Sequence, residues 1–313
     1  MVDDALRIDI CICTFRRAHV AETLHSISLL AIKPTWIIRV IVADNDETAS
    51  ALDIVEETAR DCSLSVTYLH APGRNISGAR NACLDAATAP LVAFIDDDEV
   101  ASAEWLAALV GTLEISNADV VLGPVQAVYR ADCPGWLRKG DFHSTRPVWV
   151  AGEIITGYAG NVLFRRTAPA LNGRRFRLDL GRSGGEDTIF FSGVHRAGGK
   201  IDYAANALVT EAVAAERASL AWLLRRRFRF GQTHAKVLMA DGGGMGRRLR
   251  IAVMASVKLG ACLLRACLAT PRAERMRFWL LRGMLHGGVV YSLLWPNQYL
   301  VTPAPAALAD KVA

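Results

Sequence analysis

Within the first hundred residues, four short apolar and β-branched runs at 8–14, 37–43, 64–70 and 91–95 alternate with helical periodicity at 20–31, 48–60 and 77–87. The first helical stretch puts Val20, Leu24, Ile27 and Ala31 on one face. Strict alternation of this kind leaves an α/β fold with a mostly parallel, Rossmann-like sheet flanked by helices. Right-handed crossovers then bring the C-terminal ends of the strands to one edge, where open α/β sheets bind ligands. Polar residues stand at all four ends: Thr14-Phe15-Arg16, Asp44-Asn45-Asp46, Arg74-Asn75 and Asp96-Asp97-Asp98. A fifth strand is expected at 120–125, a long irregular stretch at 126–157, and later strands at 161–165 and 201–209 flanking a helix at 186–196.

Charge divides the chain. Residues 1–216 hold 20 Lys/Arg against 28 Asp/Glu, whereas 217–282 hold 15 against 2. A basic helical module, 217–300, is therefore expected to follow an acidic ligand-binding domain, 1–216, with a flexible tail at 301–313. Such a module calls for an anionic partner. The seven cysteines, unpaired in spacing, read as reduced core residues, including Cys11 and Cys13 two apart in the first strand. The N-terminus has no apolar h-region, so no signal peptide is expected and the catalytic part should face the cytosol.

Three carboxylates at one strand end repel one another unless a cation neutralises them. A hard divalent ion, Mg²⁺ or Mn²⁺, bound by these oxygens and bridging to a diphosphate would do so; the alternative is an Asp-rich helix cap. Asp44 could accept from a nucleobase or ribose, or simply close a turn. The segment from Arg74 and Asn75 to Arg80 and Asn81 offers backbone amides and guanidiniums to phosphate or base, or else is a capped helix with exposed arginines. Gly184-Gly185-Glu186-Asp187 opens a helix. There Asp187 could serve as general base toward an acceptor hydroxyl, with Gly185 and Glu186 on the acceptor side; acids in a first helical turn are also ordinary.

With these sets in order, residues 8–235 resemble a family-2 glycosyltransferase of the A-type fold. The resemblance rests on Cys11-Ile12-Cys13-Thr14-Phe15-Arg16-Arg17, Val42-Ala43-Asp44-Asn45, Asn75 to Asn81, Phe94-Ile95-Asp96-Asp97-Asp98 with Trp105-Leu106, Gly160-Asn161-Val162-Leu163 and Gly185-Glu186-Asp187. It implies that Thr14, Arg16 and Asp44 line the nucleotide pocket and that Asp96 and Asp97 contact ribose and diphosphate. It further implies Asp98 as first metal ligand, with Asp96 beside it, and Asp187 as base of an inverting transfer. The stretch 216–232 is similar to the arm of exopolysaccharide glucosyltransferases of the succinoglycan type, in which Arg226, Arg227 or Arg229 would clamp diphosphate or meet a membrane. Many relatives place a His where this chain has Glu211.

The last segments, 247–270 and 273–294, are apolar but interrupted; Lys258 and Arg265 leave no uncharged run near the ~20 residues of a spanning helix. Arg247, Lys258 and Arg265 fall in one narrow arc, as do Arg275, Arg282 and His286, which suits the surface of an anionic membrane; a core-packing or dimerising hairpin is the alternative. Nucleic acid is not expected, since the basic module is aliphatic and the acidic half would repel a polyanion. The expectation is an enzyme at the cytoplasmic face of a bacterial inner membrane, peripheral or in-plane. It would move a hexose from a UDP-sugar to a lipid-linked saccharide in cell-surface polysaccharide synthesis. A sugar-1-phosphate nucleotidyltransferase would want glycines after the first strand, where Thr14-Phe15-Arg16-Arg17 stands; a membrane-associated scaffold would need none of the acids.

Overall fold

The computed structural model describes residues 5–295 apart from 241, 243 and 271, so the tail expected at 301–313 lies outside the described residues. In chain order the elements are β1 Leu6–Thr14, α1 Val20–Ser28, β2 Trp36–Asp44, α2 Leu52–Asp61, β3 Val66–His70, α3 Ile76–Ala86, β4 Leu91–Ile95, β5 Glu99–Ala101 and α4 Trp105–Ser116. There follow β6 Val120–Leu122, β7 Val125–Val128, α5 Gly135–Gly140, β8 Trp149–Val150, β9 Glu153–Ile154, β10 Asn161–Arg165, α6 Glu186–Arg196, β11 Ile201–Tyr203 and β12 Val209–Ala212. The C-terminal helices are α7 Leu220–Met239, α8 Met245–Leu268 and α9 Ala273–Leu294.

A seven-stranded sheet runs β11-β6-β10-β4-β1-β2-β3, parallel except for β10, which is antiparallel to both neighbours. Side chains alternate along β1. Ile8, Ile10 and Ile12 pack with Leu24 of α1, Val55 of α2 and Leu109 of α4. Cys11 and Cys13 face the other way, with Ala79 and Cys83 of α3 and Phe190 of α6. Both faces of the sheet are thus covered, which is why its central strands read as continuous apolar runs. Cys11 and Cys13 are free and buried, as their spacing in a strand suggested, whereas Cys267, also expected in the core, is exposed.

Two expected strands are corrected. The run 120–125 breaks at Gly123-Pro124, and 201–209 breaks after Tyr203, so that β7 and β12 leave the main sheet and join β5 in a three-stranded sheet, β5-β12-β7. Proline has no N–H for a ladder, so the break falls there. The stretch 126–157 is not wholly irregular: it holds β7, α5 and the β8–β9 hairpin, and Cys133 and Leu137 pack against Leu223 of α7 and Leu281 of α9.

Asp9, in the middle of β1, is buried at 2% exposure. Its carboxylate accepts from Arg39 Nε and Nη2, both at 2.8 Å, and from the backbone N–H groups of Thr88 and Ala89 at 2.7 and 2.8 Å. One charge therefore ties β1, β2 and the turn before β4. Burial alone would raise its pKa, but the donors outweigh burial and hold the carboxyl below the usual range.

α9 lies between α7 and α8. Gly231 of α7 and Gly288 of α9 allow a close crossing: a Cβ on Gly231 would overlap the carbonyl oxygen of Leu285, and one on Gly288 that of Phe228. α8 buries a narrow stripe that includes Ala252, Ala255, Cys262 and Ala266, and exposes Leu249, Val253, Val257, Leu264 and Leu268. The reading that Lys258 and Arg265 exclude a spanning helix is corrected. Among the described residues α8 is long and apolar enough to cross a membrane, and only 22% of its most apolar stretch is buried.

Asp9→Asn is expected to lower stability by about 2–4 kcal/mol in urea unfolding at pH 7, because it leaves Arg39 without its partner. The native pKa is depressed, so the advantage of wild type over the variant is full at neutral pH and fades as pH falls through the acidic range. Gly288→Val should lower the melting temperature by several degrees through separation of α7 from α9, read by differential scanning calorimetry.

Candidate active site

The cleft forms where β1, β2 and β4 end. After Ile95 the chain turns through Asp96, Asp97 and Asp98 into β5, and the three acids take different surroundings. Asp97 is 4% exposed and accepts from Thr14 Oγ1 at 2.8 Å and Arg17 Nη1 at 2.7 Å. Burial pushes its pKa up to about 6; Arg17 pulls the other way and Asp98 adds to the rise. Asp98 also pairs with Arg17 at 2.7 Å and lies 3.9 Å from Arg217. Asp96 turns outward, its side chain 41% exposed, with Arg80 Nη2 at 3.4 Å.

Arg17, not singled out from the sequence, is the cation within the cluster. Arg16 has a left-handed backbone, φ 53°, so the two neighbouring guanidiniums diverge. Arg16 Nε donates to Asp46 at 2.8 Å and holds that carboxyl down at about 2, while Arg17 turns back to the acids. Glu99 was also missed. It is buried beneath Asp96, accepts from the Asp96 N–H at 3.0 Å, and burial with Asp96 beside it pushes its pKa well up. Gly160 permits this crowding, since a Cβ there would sit 2.7 Å from Glu99 Oε1 and 3.0 Å from Asp96 Oδ2. The signal available was the glycine itself, next to Asn161, whose Oδ1 accepts from Trp105 Nε1 at 2.8 Å.

On the nucleotide side, Asp44 is fully buried. It accepts from the N–H groups of Asp46 and Ala51 at 3.0 and 2.8 Å and from Tyr68 Oη at 2.7 Å, so it shapes the loop after β2. Asn75 caps α3, accepting from the Gly78 N–H at 3.2 Å while its Nδ2 donates to the Leu178 carbonyl at 2.8 Å. That contact brings the loop before α6 against α3.

Arg80 was expected at the nucleotide. It is instead 5% exposed, over the Phe176 ring at 5.6 Å, and its other guanidinium nitrogen pairs closely with Glu186. Glu186 and Asp187 begin α6 after Gly185, whose φ is 86°. Asp187 is half-buried and accepts from the Thr188 N–H at 2.6 Å. Burial raises both carboxyls and Arg80 opposes it. Asp187 thus stands in the first turn of α6, next to the Arg80–Glu186 pair.

α7 roofs the cleft. Thr233 packs where a Cβ on Gly185 would fall. Glu211 is taken by Arg217 Nη1 at 2.7 Å. Arg226 lies between the rings of Trp222 and Phe230, 5.2 and 5.3 Å away, and Arg227 reaches the Phe230 ring at 5.8 Å; Arg229 is half-buried. Among the described residues no three His, Cys, Asp or Glu converge as a metal cage. Asp96 and Asp98 nonetheless fit a hard ion: both are carboxylates with exposed side-chain surface in the cleft, and Mg²⁺ commonly takes only one or two carboxylates together with substrate phosphate.

The family model described as Glycosyl transferase family 2 matches residues 9–169, and the chain is 49% identical over 294 residues to the succinoglycan biosynthesis protein ExoM of Rhizobium meliloti (strain 1021), covering 94% of this chain and 95% of that one. The chain belongs to glycosyl transferase family 2. It is an enzyme of the glycosyltransferase class, built on the A-type fold. A second family relative, the glucosyl-dolichyl phosphate glucuronosyltransferase of Haloferax volcanii, is 26% identical over 244 residues, 71% of this chain and 74% of that one. Among solved structures, the mannosyltransferase PcManGT of Pyrobaculum calidifontis in complex with GDP-Man and Mn²⁺ superposes with a TM-score of 0.61 at 20% identity, covering 93% of this chain and 88% of that one. S. aureus TarS 1–349 in complex with UDP-GlcNAc gives 0.53 at 16% identity, covering 90% and 92%.

Gly160→Ala is expected to leave the circular dichroism spectrum unchanged and to cut transfer at least tenfold, because its methyl group displaces Asp96 and Glu99. Arg80→Met should lower stability by about 3 kcal/mol in chemical denaturation, since it leaves the buried Glu186 unpaired.

Proposed function

We propose that this family-2 enzyme transfers a hexose, with inversion, from a UDP-sugar to a lipid-linked saccharide in exopolysaccharide biosynthesis. The observation that carries the reading is Arg80, which pairs with Asp96 of the loop after β4 and with Glu186, the neighbour of Asp187, and so joins the acidic cluster to the start of α6. Asp187 takes the proton of the acceptor hydroxyl as its oxygen bonds to the anomeric carbon. The bond from that carbon to the donor diphosphate breaks, and the electron pair leaves with UDP. A divalent ion, Mg²⁺ or Mn²⁺, held by Asp98 and Asp96 supplies positive charge to the departing diphosphate when bound. Thr14 and Arg17 hold Asp97 and Asp98 in place. The nucleoside lies along Arg16, the Asp44 loop and Asn75.

The UDP-GlcNAc complex of TarS supports a nucleotide-sugar donor, and the Mn²⁺ of PcManGT supports a metal. The acceptor class draws support from the names of the curated relatives, one a succinoglycan biosynthesis protein and the other acting on a dolichyl-phosphate-linked sugar. We assign 1–216 to catalysis and 217–300 to association with the cytoplasmic face of an anionic inner membrane. Its exposed apolar face, Leu249, Val253, Val257, Leu264 and Leu268, would enter lipid, with Arg247, Lys258 and Arg265 at headgroup level.

Radiolabelled transfer across a panel of nucleotide sugars, with membranes as acceptor source, tests this reading. Turnover is expected with UDP-sugars and Mn²⁺ or Mg²⁺, and none in EDTA. Asp98→Asn and Asp187→Asn should each lose about 10²–10⁴-fold in rate. Metal-independent transfer, or full activity of Asp187→Asn, would refute the roles given.

A further inference from the structure

A groove of about 1020 Å³ lies outside the cleft, between the first turn of α4, the break after β6 and the end of β11. That volume is at the upper end of the range for ligand pockets. Ser102, Glu104, Gln126, Arg146, Tyr203 and Asn206 supply its polar lining, and the rest is alanine, Pro124 and Leu208. Glu104, Gln126 and Asn206 are exposed, and among the described residues their side chains form no hydrogen bond or ion pair. Ser102 Oγ is buried without a hydrogen-bond partner among the same residues. Arg146 stands beside the Tyr203 phenol and 3.6 Å from Asp141. The lining thus carries one acid against one cation, together with amides, hydroxyls and a flat ring.

The chemistry of this lining excludes several partners. Balanced charge gives a polyanion nothing to hold, and small aliphatic walls without a large anchor do not suit a lipid tail or an apolar peptide. A neutral ligand rich in hydroxyls, each both donor and acceptor, matches carboxylate, amide, guanidinium and hydroxyl alike. The groove also backs onto the cleft. Glu99, Glu211 and Ala127 form one cross-strand row of the three-stranded sheet, on the side of the acids. The next row, Val100, Thr210 and Gln126, points the opposite way, and Gln126 lines the groove. The wall between is shared: Tyr158 Oη donates to the Gly123 carbonyl at 2.6 Å, close enough to Tyr203 and to Glu99 for the charge of each to bear on it. Asn161, next to Gly160, donates through Nδ2 to the carbonyls of Pro124 and Ala207 at 2.9 and 2.7 Å. We propose that this groove is a second carbohydrate site, separate from the catalytic cleft, that takes a neutral saccharide chain. This rests on the reading of the chain as a transferase with a saccharide acceptor. Two sources supply the ligand: the acceptor's own sugars beyond the reacting residue, or a separate saccharide strand.

Saturation-transfer-difference NMR, with cellotetraose, laminaritetraose, maltotetraose and mannotetraose titrated into the full chain, reads the site without donor or metal. At least one tetrasaccharide is expected to bind wild type. With that sugar, Gln126→Ala and Asn206→Ala should each bind several-fold more weakly and the two together at least tenfold, while the surface control Arg130→Gln and the cleft variant Asp187→Asn match wild type. No binding of any of the four sugars, or unchanged affinity in the paired groove variant, overturns the proposal. So does a loss in Asp187→Asn equal to that in the paired variant, which would put the sugar in the cleft. Transfer kinetics then assign the source: competition between the tetrasaccharide and the membrane acceptor means the acceptor's own sugars, and an unchanged acceptor KM means a separate strand. Failure of sugar binding with transfer intact sinks the groove alone; groove binding without transfer of any hexose sinks the substrate assignment alone.

Discussion

A single buried guanidinium, that of Arg80, joins the two halves of the chemistry. It sits on α3, reaches Glu186 at the head of α6 in one direction and Asp96 in the loop after β4 in the other, and rests on Phe176. Glu186 and Asp96 are 90 residues apart in sequence. Carboxylates brought this close under cover would repel one another and take up protons; Arg80 makes their approach tolerable and ties the loop after β4 to the head of α6. Other cations hold further acids: Arg17 holds Asp97 and Asp98, Arg16 holds Asp46, and Arg217 holds Glu211 and comes within 3.9 Å of Asp98. Of the acids so held, Asp96 and Asp98 keep exposed side-chain surface.

The helical module belongs to the same arrangement. α5, within the long loop region, packs under α7 and α9 through Leu137, Leu223 and Leu281, and Thr233 of α7 closes on Gly185. The helices that carry the basic charge therefore also roof the site.

The layer order, the four polar strand ends and the acidic cluster were legible in the sequence because each follows from periodicity and chain direction. The partners of those residues were not. Whether Arg16 or Arg17 meets the cluster depends on a left-handed residue that no local pattern marks. Arg80 reads as an exposed helical arginine until the fold brings Glu186 onto it. Asp44 reads as a ligand contact, yet its oxygens are occupied by Tyr68 and two backbone amides. The tight crossing of α7 with α9 hangs on two glycines 57 residues apart, each of which, in isolation, only weakens a helix.

The central claim is that the acids after β4 hold a metal-bound sugar-nucleotide diphosphate facing Asp187. Anomalous scattering from crystals grown with UDP and Mn²⁺ tests it most directly. One manganese peak is expected within coordination distance of Asp98 and of the UDP diphosphate oxygens, on the side of the cleft that faces Asp187. UDP bound with no manganese at Asp98, or a manganese site away from the loop after β4, would contradict it.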